Sequence, residues 1–166
     1  YGAGFDTVDV AACTAAGVLV VNQSGANAQS VAEHAFGMIL ALAHRFNECD
    51  RRLRRERGFA REAVMGHEVR GKTLGIVGLG NAGRRLARIA AALDMTILAV
   101  DPGLEPAEVQ RRGATPVSLD ELLARADYVS LHCPRDASTL GMFDARAFAR
   151  MKPGAVFVST ARGGIH

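Results

Sequence analysis

An apolar run, a glycine-rich turn and a helical pattern follow one another near the middle of the chain, and they constrain its fold most. Leu74, Ile76 and Val77 form the run, and the turn has the spacing Gly78-x-Gly80-x-x-Gly83. Apolar residues then recur at positions 86, 89, 90 and 93, which is helical spacing. A strand, a glycine turn and a helix in this order form the dinucleotide-binding fingerprint. Gly78 allows the tight turn, Gly80 admits a pyrophosphate close to the backbone, and Gly83 permits close helix packing. The unpaired N–H groups of the first helical turn favour such an anion.

The second half of the same unit strengthens this interpretation. Residues 95–100 have the composition of a buried parallel strand, and this strand ends at Asp101, which is 101 − 83 = 18 residues after Gly83. That separation is close to the roughly 20 residues expected for the acid that binds the adenosine ribose. A carboxylate at this position accepts hydrogen bonds from both ribose hydroxyls and repels a 2′-phosphate. The pattern therefore predicts NAD rather than NADP, and the alternative is an Asp that only caps the turn before Pro102.

The α/β alternation continues to the end of the chain. We predict helices over residues 106–112, 118–125 and 144–151, and strands over 127–131 and 155–159. Strands that alternate with helices form a parallel sheet whose ligands bind at the carboxyl ends of the strands. The predicted fold class is therefore α/β, a doubly wound parallel sheet of the Rossmann NAD-binding type. We expect it to be truncated at its C-terminus and preceded by the tail of a second, substrate domain.

The first part of the chain does not show the regular α/β alternation of the rest. Residues 1–22 comprise a glycine loop, a short helix over 8–16 and a strand over 18–21. Ser30 and Glu33 have the spacing of a capping box, which opens an apolar helix that becomes highly charged and continues to residue 57. We assign 1–22 to the end of a substrate domain, 23–58 to an interdomain or dimer-interface helix, and 59–166 to the NAD-binding domain.

The sequence also contains a P-loop pattern, but its predicted structural context does not fit nucleotide binding. Residues 66–73 satisfy the P-loop pattern GxxxxGK[ST], but that chemistry needs a strand before the loop and a helix after it. Here a polar loop precedes the pattern and a buried strand follows. Lys72 and Thr73 are predicted at the start of that strand, away from the ligand crevice.

Composition excludes several other functions. The chain has 49% hydrophobic and 22% charged residues, a net charge of +3, and no apolar run of 18 residues that would span a membrane. The three cysteines lack metal-ligand spacing, so we predict no metal site and free thiols in a reducing cytoplasm. Arginines cluster over residues 51–57, with Arg61 just beyond, but acids are interleaved and no aromatic residue lies within 51–57, which favours a solvated helix face over a nucleic-acid surface.

Arg162 is the main catalytic candidate. It follows the last predicted strand on the ligand side, and its guanidinium fork suits an α-keto or α-hydroxy carboxylate. The alternative is an ordinary surface arginine. His132 and Cys133 also follow a strand, but successive strand residues point to opposite faces, so they do not form a nucleophile–base pair. We interpret His132 as structural.

These motifs together resemble the D-isomer-specific 2-hydroxyacid dehydrogenases. The similar stretches are residues 2–6, 30–34, 71–80, 131–134 and 160–164, in the family's order over essentially the whole chain. The resemblance implies cofactor-binding roles for Gly78, Gly80, Asn81, Ala82, Gly83, Asp101, Cys133, Thr160 and Ala161. Asn81 and Ala82 would donate amides to the pyrophosphate, whereas Cys133, Thr160 and Ala161 would border the nicotinamide. Arg162 matches the arginine that binds the substrate carboxylate and keto group.

The resemblance also sets expectations for the whole protein. It implies an NAD-dependent enzyme that transfers a hydride between the cofactor and a small D-2-hydroxy acid or 2-keto acid, in a homodimer. Ser159 stands where the family has Asn, and Phe5 where Tyr is common. The family's catalytic Glu and His would lie beyond residue 166, so we expect this chain alone to be inactive. The alternatives are a corepressor-like protein that senses NAD and, less similar, an NAD domain of the adenosylhomocysteine hydrolase kind.

Overall fold

The structure, a computed structural model, describes residues 4–166 and contains one parallel sheet within them. The strands are β1 (Thr73–Val77), β2 (Thr96–Val100), β3 (Thr115–Pro116), β4 (Tyr128–Leu131) and β5 (Val156–Ser159). The helices are α1 (Val10–Ala15), α2 (Ala28–Ala43), α3 (Phe46–Arg55), α4 (Gly83–Ala91), α5 (Pro106–Arg111), α6 (Leu119–Arg125) and α7 (Ala145–Ala149). A 3₁₀ turn covers Arg61–Val64.

The sheet is doubly wound about β1. Its strand order is β3-β2-β1-β4-β5, so the chain moves outward from β1 to β3 and then returns to the other side of β1 to form β4. All neighbouring strands pair in parallel. The predicted doubly wound parallel sheet is therefore confirmed. The order reverses between β1 and β4, and this is the place where sheets of this kind bind ligands.

Helices cover both faces of the sheet, which explains its nearly continuous apolar strands. One buried cluster combines residues of α2, α4 and α5, and the other combines residues of α6 and α7. Gly75 in β1 permits the close approach of α6, because a Cβ at that position would lie 2.5 Å from the Leu122 side chain.

No helix in the described part of the chain combines the length and the apolar character that a bilayer crossing requires.

The long helix predicted to run to residue 57 is broken, so that prediction was wrong. α2 ends at Ala43, and Arg45 adopts a left-handed conformation (φ 55°) before α3 begins. The Ala43 carbonyl accepts the N–H of His67 at 2.9 Å, and a Cβ on Gly66 would lie 2.4 Å from the same oxygen. The 66–67 loop thus packs against the end of α2 and satisfies a carbonyl there.

Two further local predictions were wrong, whereas the helix predicted over 118–125 is present as α6. α2 begins at Ala28 rather than at a Ser30–Glu33 capping box, and its N-cap residue Asn27 makes no side-chain cap. Residues 18–21 form no strand, because the described chain offers them no pairing partner. Ser118 does cap α6, since its Oγ accepts the N–H of Glu121 at 3.1 Å.

The P-loop pattern lies where the sequence predicted it. Thr73 is the first residue of β1, so Lys72 and Thr73 occupy the amino end of the strand. Ligands of such sheets bind at the opposite, carboxyl end. The structure therefore supports rejecting this pattern as a phosphate site.

Candidate functional site

The glycine turn after β1 is shaped by close backbone contacts. The Gly78 N–H donates to the Val100 carbonyl at 2.8 Å, and Gly78 has a φ of 92°, which favours glycine. A Cβ on Gly78 would lie 2.6 Å from the Cys133 nitrogen, and one on Gly83 would lie 2.1 Å from the Gly78 oxygen. Both positions therefore require glycine, one for the approach of β4 and one for the approach of α4.

Gly80 faces open space instead. A Cβ there would meet no atom within 4 Å, so the backbone of this residue is accessible to a ligand. The N–H groups of Asn81, Ala82 and Gly83 donate to no acceptor within residues 4–166, and no side chain caps the start of α4. Free amides at a helix N-terminus attract an anion. These residues fit the pyrophosphate of a dinucleotide.

Asp101 follows β2 and turns its carboxylate toward the same glycine turn. Its Oδ2 accepts the Leu79 N–H at 2.8 Å, and its Oδ1 accepts the Gly103 N–H at 3.0 Å. The side chain therefore caps the local turn, and it is also fixed beside the glycine loop. Each carboxylate oxygen has a second lone pair, so the group can still accept hydrogen bonds from ribose hydroxyls.

Arg112 is a contributor to this turn that the sequence did not reveal. Its Nη1 donates to the Leu79 carbonyl at 2.8 Å, and its Nε donates to Glu108 at 2.7 Å. Leu79 is thereby held on both sides, with its N–H on Asp101 and its carbonyl on Arg112. The i,i+4 spacing of Glu108 and Arg112 could have predicted their ion pair. The contact of Arg112 with Leu79 spans 33 residues, so no local sequence pattern indicates it.

His132 at the end of β4 connects two hydroxyl groups. Its Nε2 lies 2.8 Å from the Ser130 Oγ, and its Nδ1 lies 3.1 Å from the Thr160 Oγ1. Burial lowers the pKa of His132 to about 4, so the ring is neutral at neutral pH. A neutral imidazole donates with one nitrogen and accepts with the other, so it can satisfy both hydroxyls. This arrangement supports the structural interpretation of His132.

Cys133 and Ala161 are partly buried at the same edge of the sheet, packed against the cluster that contains α6 and α7. Burial raises the pKa of the Cys133 thiol, which therefore stays protonated. A protonated thiol is a poor nucleophile. Cys133 thus contributes shape and backbone to the crevice and has no nucleophilic setting.

Arg162 lies beyond β5 and contacts the N-terminal segment. Its Nε donates to the Asp6 Oδ2 at 2.8 Å, although the two residues are 156 positions apart. The Arg162 side chain is 45% exposed, so it is partly accessible to solvent. Asp6 belongs to the glycine loop that the sequence singled out, but Gly2 and Ala3 of that loop lie outside the described residues.

Contacts between neighbours join the four strand ends into one edge. Asp101 after β2 contacts the turn after β1, Gly78 of that turn approaches Cys133 after β4, and His132 bonds to Thr160 after β5. The structure thus brings the predicted cofactor residues together at the topological switch point. Arg162 lies two residues beyond Thr160, at the end of the same series.

Comparison with known proteins agrees with this geometry. Residues 36–166 match the family described as D-isomer specific 2-hydroxyacid dehydrogenase, NAD binding domain. The chain belongs to this family, and the matched residues are its NAD-binding domain.

Individual relatives of this chain are also dehydrogenases and reductases. The D-3-phosphoglycerate dehydrogenase of Mycobacterium tuberculosis is 44% identical over 99% of this chain and 31% of its own length. The hydroxypyruvate reductase of Thermotoga maritima is 39% identical over 98% of this chain and 52% of its own length. The structure of D-lactate dehydrogenase from Aquifex aeolicus, complexed with NAD and lactic acid, superposes with a TM-score of 0.90 at 33% identity. That match covers 99% of this chain and 49% of the other, so the chain spans about half or less of these relatives.

Proposed function

We propose that this chain is the nucleotide-binding part of an NAD-dependent oxidoreductase that acts on a small D-2-hydroxy acid or 2-keto acid. The observation that carries the proposal is the glycine turn beside the fixed carboxylate of Asp101: Gly80 is open, and the Asn81 and Ala82 amides donate to no acceptor within the described residues. The named relatives are dehydrogenases and reductases, which favours an enzyme over a corepressor-like NAD sensor.

The cofactor residues divide into two groups along the crevice. Gly78, Gly80 and Gly83, with the amides of Asn81 and Ala82, would hold the pyrophosphate. Asp101 would bind the adenosine ribose through the lone pairs that its backbone contacts leave free. The backbones of Cys133, Thr160 and Ala161 would border the nicotinamide half, and the His132 ring keeps the Thr160 hydroxyl in one orientation.

The bound nicotinamide supplies a two-electron hydride acceptor or donor. Arg162 would orient the substrate, because a guanidinium pairs with a carboxylate in two parallel hydrogen bonds and polarises an adjacent keto oxygen. In the oxidation direction, C2 of the hydroxy acid would lose its hydride to the nicotinamide, and the hydroxyl proton would pass to a base. We assign no residue of this chain to that base.

The test of cofactor choice is a calorimetric titration of the chain with NAD and with NADP. We expect tighter binding of NAD. Asp101→Ser should weaken NAD by roughly tenfold to a hundredfold, since a hydrogen bond to a charged group contributes about 1.5–3 kcal/mol. Asp120→Ser, an exposed acid on α6, is the matched control and should bind NAD like the wild type. Equal or tighter binding of NADP to the wild type would contradict the role of Asp101.

The test of activity uses the complete open reading frame that encodes this chain. We expect NADH oxidation with at least one member of a panel of small 2-keto acids. Arg162→Ala should lower kcat/KM by on the order of a hundredfold or more, as the loss of a positioned donor does in other enzymes. Unchanged kinetics in this variant would remove Arg162 from the mechanism, and no turnover with any keto acid would favour the sensor.

Cellular setting and assembly form a separate proposal. We propose a cytoplasmic homodimer, in which 1–22 end a substrate domain, 23–58 run between domains or subunits, and 59–166 bind NAD. The three cysteines are free, as expected in a reducing compartment, and neither nucleic acid nor a membrane is a partner. Light scattering tests the assembly, and a monomeric mass would contradict it.

A further inference from the structure

The ion pair between Asp6 and Arg162 joins two residues that lie far apart in the sequence. The carboxylate accepts the Nε–H at 2.8 Å across 156 residues of sequence. The other edge of the guanidinium makes a weaker polar contact but packs closely on backbone. Its Nη1 donates to the Ala161 carbonyl at 3.3 Å, and its Nη2 lies so close to Gly4 that a Cβ there would be 1.7 Å away. Asp6 therefore provides the strongest contact of the Arg162 head group within residues 4–166.

The backbone around Arg162 provides little guidance of its own. The residue lies outside any helix or strand, and Gly163 and Gly164 follow it. Arginine has a long, flexible side chain, so a defined guanidinium position requires a fixed partner. No carboxylate other than Asp6 pairs with Arg162 in the described part of the chain.

Asp6 is itself held in a turn. The Val8 N–H donates to the Phe5 carbonyl at 3.0 Å, which closes the chain around Asp6 immediately before α1. The hydrogen bond from Arg162 lowers the pKa of the Asp6 carboxyl, with Arg135 adding to the effect. The acid is therefore ionised at neutral pH, when the pair can form.

We infer that Asp6 is a positioning residue for Arg162. By occupying the Nε edge, the carboxylate directs the guanidinium so that its Nη groups remain for a substrate carboxylate and keto oxygen. This inference rests on the proposed function, because it assumes that Arg162 binds the 2-keto acid. It assigns a role to the N-terminal glycine loop that the cofactor site does not require.

A purely structural role would give a different result. An ion pair that only fastens the N-terminal segment would affect stability, and its loss would change the KM values of both substrates or of neither. A positioning residue affects the substrate that its partner binds. The Michaelis constants for the 2-keto acid and for NADH therefore separate the two roles.

The experiment compares variants of the complete reading frame under steady-state conditions. Asp6→Ala should raise the KM for the 2-keto acid roughly tenfold and leave the KM for NADH unchanged. Asp6→Asn should restore the keto-acid KM to within about threefold of the wild type, because its amide oxygen still accepts the Nε–H. Asp120→Ala is the matched control, since it removes the exposed ion pair with Arg150 and should behave like the wild type.

A double variant completes the test. In an Arg162→Ala background, Asp6→Ala should cause no further loss, because the two residues act as one unit. A wild-type keto-acid KM in Asp6→Ala, a parallel rise in the NADH KM, or additive losses in the double variant would overturn the inference while the proposed function stands. A wild-type protein without any keto-acid reduction would defeat the proposed function, and this inference with it.

Discussion

His132 should make the stability of this domain sensitive to mild acid. Its ring bonds to the hydroxyls of Ser130 and Thr160, and burial lowers its pKa from 6.5 to about 4. In the unfolded chain the ring takes up a proton as the pH falls through 6.5, whereas the folded protein resists protonation until about 4. Because the unfolded state binds the proton first, stability decreases as the pH falls through this window.

The magnitude follows from the pKa difference. Each pKa unit corresponds to about 1.4 kcal/mol, so the full effect below the folded pKa is roughly 3 kcal/mol. By about pH 5, His132 should already have reduced the free energy of unfolding by roughly 2 kcal/mol. That is a large share of the roughly 5–15 kcal/mol that stabilises an ordinary domain.

Urea unfolding of the chain at about pH 7.5 and pH 5 measures this effect. His132→Asn should be less stable than the wild type at the higher pH by about 1–3 kcal/mol, because a buried hydroxyl loses its partner. The same variant should lose roughly 2 kcal/mol less than the wild type between the two pH values. His34→Gln, which changes an exposed histidine on α2, is the control and should keep the wild-type loss. An equal loss in His132→Asn and the wild type would refute the reasoning.

Three other substitutions test the turn and the core. Gly83→Ala should destabilise the domain by about 2 kcal/mol or more and also weaken NAD binding, because its Cβ would lie 2.1 Å from the Gly78 oxygen. Gly80→Ala should leave the Tm unchanged and weaken NAD roughly tenfold, since its Cβ enters the open side of the turn; a lowered Tm here would contradict this view of the turn. Tyr128→Phe should cost about 1 kcal/mol or less in urea unfolding, because its partner at 2.7 Å, the exposed His67, can bond to water instead.

The placement of the nucleotide half of the candidate site could be predicted because its information is local. The strand, the glycine spacing and Asp101 all lie between residues 73 and 101, and the order of elements fixes how they meet at the switch point. The interpretation of His132 as structural, based on alternation along the strand, agrees with the contacts of its ring with Ser130 and Thr160. The two hydroxyls that hold its ring were not foreseen, because Thr160 reaches it from the next strand.

The errors arose where distant residues decide local structure. Periodicity indicated one helix past residue 43, but a loop from residues 66–67 takes the Ala43 carbonyl and the helix ends there. The β-branched residues over 18–21 suit a strand, yet a strand also needs a neighbour to pair with. The short strand at Thr115–Pro116 was missed because two residues give no periodic pattern.

The two halves of the proposed site should therefore respond independently to mutation. The glycine turn is held by Asp101 and Arg112, and both contacts lie within the nucleotide unit. Arg162 is held by Asp6, and no hydrogen bond or ion pair among residues 4–166 links Asp6 to the turn or to Asp101. Removing the Asp6 carboxylate should accordingly leave the calorimetric affinity of the chain for NAD unchanged. Weaker binding of NAD to Asp6→Ala would mean that the N-terminal loop also supports the nucleotide site, and the two halves could not be treated as separate.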